Sequence, residues 1–269
     1  MSHISILGGT GMAGSALARE AALRGHTVTV AARHTGDIDD ARFDGATRVR
    51  LDITTGQGVA DAVAGADVVI YAVNATSAPR HAMCAGLRTT LDAVRSARPH
   101  TSSGGPLVVL PSIIGCEALP GAYYKAKVEQ ERILREWDGR SMTLRVAQFH
   151  QFVDKLLTAA RRVGISPRAP LPLQPVEAGA ASRAILDAIE SGSMDEIIHI
   201  AGPDSLMLTA AARMHASALG YSALPLRLPL LGMGAAKGGA LTPRPGAATL
   251  TGTSFVSWLD GRERKEVER

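Results

Sequence analysis

The chain has 269 residues, of which 46% are hydrophobic and 4% aromatic, with a formal charge of +4. That length fits one large α/β domain, or one with a small appended lobe, around a core of Ala, Val, Leu and Ile. The balance excludes several classes: the basic residues are dispersed and the Arg262–Arg269 tail mixes in acids, so there is no nucleic-acid arm. No run has the length and polarity of a transmembrane span, and Cys84 and Cys116 show neither metal spacing nor a disulfide framework.

Taken in chain order, Ile4–Leu7 reads as a short apolar strand that runs into glycines at Gly8, Gly11 and Gly14. Ser15–Arg24 follows with helical character. A strand, a glycine turn and a helix in that order are the context in which such glycines form a dinucleotide site. Gly8 supplies backbone angles closed to other residues. Gly11 lets the backbone approach a pyrophosphate, and Gly14 lets the helix pack on the strand. The N–H groups of the new helix, with Thr10 and Met12 beside them, then face the phosphates.

Thr27–Ala32 is predicted as a second strand and Thr47–Leu51 as a third, closing at Asp52. Gly58–Ala64 is a short helix, Asp67–Val73 a fourth strand and Arg80–Arg98 a long helix. Pro106–Pro111 is a fifth strand with Ser112 at its end, Tyr123–Trp137 a helix and Met142–Val146 a sixth strand. These apolar runs do not alternate, as expected of strands covered on both faces. The order predicts a Rossmann-type doubly wound parallel α/β sheet with the glycine turn at its carboxyl edge.

Beyond this, Phe149–Val163, Ala178–Ser191 and Ala210–Leu219 read as helices and Glu196–Ile200 as a strand. Pro225–Leu231 reads as an extended segment, Leu230–Thr251 as a loop or broken helix, and Thr253–Leu259 as the opening of a terminal helix. The expected division is a dinucleotide-binding domain over 1–150 and C-terminal segments over 151–269. Those later segments form a small substrate-binding lobe interleaved with the first domain. The chain enters its first strand at once, so a cleaved signal is not expected and a cytoplasmic location is.

The second strand ends in Ala31-Ala32-Arg33-His34 with no carboxylate for a ribose diol. Arg33 is available for a 2′-phosphate, so NADP(H) is expected in preference to NAD(H). A solvated strand end is the competing role for Arg33. Asp52 could accept from the adenine amino group or cap the next turn. Ala72 and Asn74, closing the fourth strand, should pass under the adenine ribose, although Asn74 could simply shape a turn.

Tyr123 and Lys127 share one helix face. A phenol beside an ammonium can be tuned toward neutrality and exchange a proton with a carbonyl or alcohol. Ser112 could hold the substrate oxygen, and Lys127 could also bind the nicotinamide ribose. Packing for Tyr123, solvation for Lys127 and turn capping for Ser112 are the alternatives.

The glycine motif, Arg33, Leu110–Gly115, Tyr123–Glu129 and Thr143–His150 together resemble the NmrA-like group of atypical short-chain dehydrogenase/reductase proteins. Gly239–Thr242 and Phe255–Leu259 resemble that group's C-terminal pattern. The resemblance implies NADP(H) on the Rossmann half and a substrate pocket roofed by C-terminal segments. Gln148, Phe149 and His150 then line the substrate side, helix initiation and packing being their other roles. The expected activity is NADPH-dependent hydride transfer to a small apolar carbonyl or quinone, by a monomer or homodimer. A non-catalytic NADP(H)-sensing regulator, and an epimerase or dehydratase with bound cofactor, are the alternatives. The apolar stretches Pro170–Pro175 and Leu226–Met233 favour an apolar ligand over a phosphorylated one.

Overall fold

A computed structural model describes residues 1–34, 45–97, 105–192, 197–227 and 234–267. Arg98, Glu196 and residues 228–233, which the sequence reading assigned to a helix, a strand and the pocket roof, lie outside the described residues. So do Glu268 and Arg269 of the tail.

The elements follow the predicted order through the first half: β1 His3–Leu7, α1 Met12–Leu23, β2 Thr27–Ala32, β3 Thr47–Arg50, α2 Val59–Val63 and β4 Val68–Tyr71. A π-helical turn at Arg80–Ala85 leads into α3 Gly86–Ala97. Then come β5 Leu107–Ile113, α4 Ala122–Arg135, β6 Ser141–Val146 and α5 His150–Arg162. The remaining elements are β7 Ile165–Arg168, β8 Pro172–Leu173, α6 Ala178–Ser191, β9 Ile197–Ala201, β10 Leu206–Met207, α7 Leu208–Ala218, β11 Leu224–Arg227, β12 Thr249–Leu250 and α8 Phe255–Val267.

Eight strands form one sheet in the order β12-β9-β6-β5-β4-β1-β2-β3. β1 pairs in parallel with β2 and β4, and β2 with β3, β4 with β5 and β9 with β12 are parallel as well. This is the doubly wound Rossmann-like sheet that the alternation of strands and helices predicts. The order reverses between β1 and β4, where Leu7 closes β1 opposite Tyr71. Ligands of open α/β sheets bind outside the carboxyl ends of the strands at such a reversal.

Two compact units result. The first comprises Met1–Ser112, Gly121–Leu144 and Ile185–Ile197; the second comprises Ile113–Pro120, Arg145–Ala184 and Ile198–Arg269. The core of the first packs Leu7, Ala31, Val69, Tyr71, Val108 and Leu110 of the sheet against Leu87, Leu91 and Val94 of α3 and Ile133 and Leu134 of α4. The α3 residues recur at helical spacing, so one stripe of that helix is apolar. Each such side chain contributes about 1.5–3 kcal/mol by leaving water. No described helix is long and apolar enough to cross a membrane.

Two short two-stranded sheets, β8 with β10 and β7 with β11, were not predicted. Strands of two to four residues, most of them containing proline, are too short for a periodic signal. β5 also runs further than expected, through Ile113, so that Ser112 lies inside the strand rather than beyond it. Proline at 111 suggested a stop, yet the backbone remains extended through it.

Candidate active site

The glycine turn is built by backbone packed on backbone. Gly8 has φ of +81°, and its N–H donates to the Ala31 carbonyl at 2.8 Å. A Cβ on Gly8 would lie 2.9 Å from the Ala72 carbonyl carbon and oxygen and from the Val73 nitrogen. On Gly14 it would lie 2.3 Å from the Gly8 oxygen and 2.7 Å from the Gly9 Cα. Gly9, which the sequence reading passed over, would place its Cβ 2.7 Å from Val30 Cγ1. The doubled Gly-Gly was the available signal for it.

Gly11 is different. It is exposed, and the nearest atom to an added Cβ is the Gly8 oxygen at 3.2 Å. It forms the N-cap of α1 without a side-chain bond, and no acid stands in the first turn. The start of α1 therefore offers bare backbone and an uncompensated positive dipole end, which fits a pyrophosphate. Thr10 is exposed beside it and Met12 half-buried. Ala72 donates its N–H to the Leu7 carbonyl at 2.9 Å, and Asn74 is exposed just past it.

Arg33 stands exposed at the bend after β2. Asp52 binds its own turn: Oδ1 accepts from Thr54 Oγ1 at 2.6 Å and from the Thr54 N–H at 2.9 Å. Those bonds, helped by the Arg33 charge, hold its carboxyl below the usual carboxylate range. Of the two roles open to Asp52 in the sequence, the structure displays turn capping.

Helix α4 carries an unusual buried stripe. Lys127, Gln130 and Glu131 are 5%, 0% and 3% exposed, among apolar Ala126, Ile133 and Leu134. Charged side chains are almost never so buried unless paired. Lys127 Nζ donates to the Pro111 carbonyl at 3.3 Å, and Ser112 Oγ donates to Glu131 Oε1 at 2.5 Å. Gln130 Nε2 donates to the Met83 carbonyl at 3.1 Å. Tyr123, half-buried in the first turn of α4, meets Tyr124 edge-on at 5.1 Å and packs on the core. Tyr123, Lys127 and Glu131 are spaced four apart and so share one face.

Ser112 is thus 4% exposed and gives its one hydroxyl hydrogen to Glu131. In this arrangement it can accept from a substrate hydroxyl but does not donate to a carbonyl. The sequence reading missed Glu131, because a glutamate in a helix rich in Arg and Glu reads as solvated.

In the second unit, Gln148 is half-buried and its carbonyl accepts from Val176 N–H at 2.9 Å. Phe149 is the N-cap of α5. His150 is fully buried and packs on Phe255 and Trp258, with ring centroids at 5.5 and 5.6 Å, which is the packing role that stood as its alternative in the sequence. Its Nε2–H donates to the Thr253 carbonyl at 3.1 Å. The first turn of α5 faces into the packing around α8, which makes His150 a core residue. Burial pushes its pKa down, opposed by the Thr253 bond. The unfolded chain therefore takes up the proton more readily than the fold does. The stability involved is intact above the unfolded value of about 6.5 and is lost as pH falls below it. The thermal midpoint should drop on acidification from about pH 7 to 5, and His150→Phe should flatten that part of the profile.

Gly115, at φ of +74°, sits against a second π-helical turn, Ala236–Ala240: an added Cβ there would overlap the Ala240 carbonyl. The Gly239–Thr242 segment that the sequence singled out thus covers the chain just past β5. A cavity of about 470 Å³ lies elsewhere, at the starts of β1, β4 and β5 beside Ile4, Val68 and Leu107. That is the sheet edge opposite the glycine turn, so it has no part in this site.

The profile of a family described as NAD(P)H-binding matches residues 8–155. No curated protein matches the chain. Among solved structures, NADPH-dependent quinone oxidoreductase QOR2 from Escherichia coli, complexed with NADPH, is 15% identical, with a TM-score of 0.77 over 97% of this chain and 99% of that one. A nucleoside-diphosphate-sugar epimerase from Staphylococcus aureus is 13% identical, with a TM-score of 0.76 over 97% and 100%. UDP-N-acetylglucosamine 4-epimerase from Bacillus cereus is 15% identical, with a TM-score of 0.71 over 100% and 98%. At these identities the likeness is one of fold, and it is shared by reductases and epimerases alike. The glycine turn lies at the start of the matched region, which covers more than half of the chain, and the chain therefore belongs to the NAD(P)H-binding family.

Proposed function

We propose that the protein is an NADPH-dependent oxidoreductase that transfers hydride to a small apolar carbonyl or quinone. The observation that carries this reading is the buried polar stripe of α4, with Lys127 and Glu131 anchored to the Pro111-Ser112 end of β5. Buried charges at the carboxyl end of a strand, on the helix that bears Tyr123, suit proton chemistry better than nucleotide holding alone.

Gly8, Gly11 and Gly14 would hold the pyrophosphate, with Thr10 and Met12 beside it. Arg33 would hold the 2′-phosphate. Asp52, Ala72 and Asn74 would border the adenosine, and Lys127 the nicotinamide ribose. The cofactor supplies the hydride when bound. Tyr123 would give a proton to the substrate oxygen, and the Lys127 ammonium favours the phenolate left behind. Ser112 would then accept the hydrogen of the product hydroxyl. Gln148 and Phe149 are proposed for the substrate side.

The test is oxidation of NADPH with a panel of quinones and small ketones. Turnover that consumes NADPH stoichiometrically supports the reading. Interconversion of a sugar nucleotide without net consumption would assign the protein to epimerases, and unequal binding of NADP⁺ and NADPH without any turnover would make it a redox-sensing regulator.

The choice of cofactor rests on Arg33. Arg33→Asp should weaken NADPH by about 10- to 100-fold, the equivalent of one charge-assisted contact, and leave NADH within about threefold, as measured by calorimetry. An equal loss for both cofactors would remove Arg33 from the phosphate.

A further inference from the structure

A serine hydroxyl has one hydrogen and two lone pairs, so the group that takes the hydrogen decides what the oxygen can do. For Ser112 that group is Glu131, at 2.5 Å, with both side chains more than nine-tenths buried. Ser112 belongs to β5 and Glu131 to the third turn of α4. The bond therefore crosses the seam between the strand and the helix that also bears Tyr123 and Lys127. One turn earlier, Lys127 Nζ holds the carbonyl of Pro111, the residue before Ser112. Two successive residues of β5 are thus tied to two successive turns of α4.

We propose that Glu131 is a positioning residue for the reaction. Its carboxylate takes the Ser112 hydroxyl hydrogen, fixes the Ser112 rotamer and leaves the oxygen's lone pairs for the hydroxyl of the product alcohol. This rests on the oxidoreductase reading above. Glu131 does not itself touch substrate. Its proposed effect reaches the reaction through Ser112, and the coupling between the two positions separates it from a residue that merely stabilises the seam.

The test is a double-mutant cycle on the full chain with a quinone or ketone that the wild-type protein reduces. Glu131→Leu should lower kcat by about 10²-fold, the scale of a misplaced contact, while leaving KM for NADPH nearly unchanged. Glu131→Gln should recover most of that rate, since its amide oxygen still accepts the Ser112 hydrogen. Added to Ser112→Ala, Glu131→Leu should have no further effect, because residues acting as a unit are not additive. Additive losses, or a Glu131→Leu variant as fast as wild type, would overturn the proposal.

A second readout does not depend on turnover. A hydroxyl held by a buried carboxylate should give a low-field proton resonance that is lost in Ser112→Ala and in Glu131→Leu alike. If that resonance is present and no carbonyl is reduced, the oxidoreductase reading fails and the anchor stands. If it is absent, the anchor fails.

Discussion

Gly14→Ala should unfold the amino-terminal turn and abolish NADPH binding, whereas Gly11→Ala should keep the fold and lose only the ligand. A Cβ at position 14 meets the Gly8 oxygen at 2.3 Å, the Gly9 Cα at 2.7 Å and the Gly8 carbonyl carbon at 3.0 Å. All three are backbone atoms of one tight turn and cannot swing aside. Overpacking of this kind costs about 1–3 kcal/mol or more, a drop of several degrees in thermal midpoint for a chain of this size. Position 11 has ordinary angles, φ −71° and ψ 172°, and a single neighbour at 3.2 Å. Alanine there asks the Gly8 oxygen to give by a few tenths of an ångström, a far smaller demand than at position 14. Its methyl group, however, would stand on the exposed side of the turn, between the start of α1 and an approaching phosphate. Calorimetry with NADPH and a melting curve on both variants separate the two effects. A Gly11→Ala protein that binds NADPH as tightly as wild type would move the pyrophosphate away from this turn.

The steric roles of Gly8 and Gly14 were legible in the sequence because each follows from the geometry of a strand, a turn and a helix. The order of elements through β6 was legible for a related reason: buried parallel strands and the helices between them differ in length and apolar run. What stayed hidden has a common physical origin. Periodicity tells an apolar face from a polar one, but it cannot tell a buried charge from a solvated one. Lys127 and Glu131 look in sequence like the exposed Arg132 and Glu136, yet they are 5% and 3% exposed. His150 poses the converse problem: the resemblance implied the substrate side for it, and its packing partners Phe255 and Trp258 arrive from about a hundred residues later. Strand pairings such as β7 with β11 are likewise set by tertiary approach, not by local pattern.

The two tyrosines at the start of α4 give the sharpest test of the chemistry. Tyr123 and Tyr124 are adjacent, both half-buried, and in edge-on contact at 5.1 Å. They lie on different faces of the helix, since neighbours in sequence are about 100° apart. Tyr123 stands four residues before Lys127 and Tyr124 three, so both are helix-surface neighbours of that lysine, and their surroundings rather than their spacing set them apart. Burial pushes the Tyr124 phenol above its ordinary value, which makes it a poorer acid at neutral pH. Tyr123→Phe should therefore lower kcat by about 10²–10⁴-fold, the usual contribution of a positioned proton donor. It should leave NADPH affinity and thermal midpoint close to wild type, because the ring that packs on the core is retained. Tyr124→Phe should cost less than about threefold in kcat, well below what a proton donor contributes. The ratio of the two effects is the measurement that matters, since both substitutions remove one phenol from the same turn. If Tyr124→Phe is the slower variant, the proton donor has been misassigned by one residue, and with it the face of α4 that looks onto the reacting oxygen.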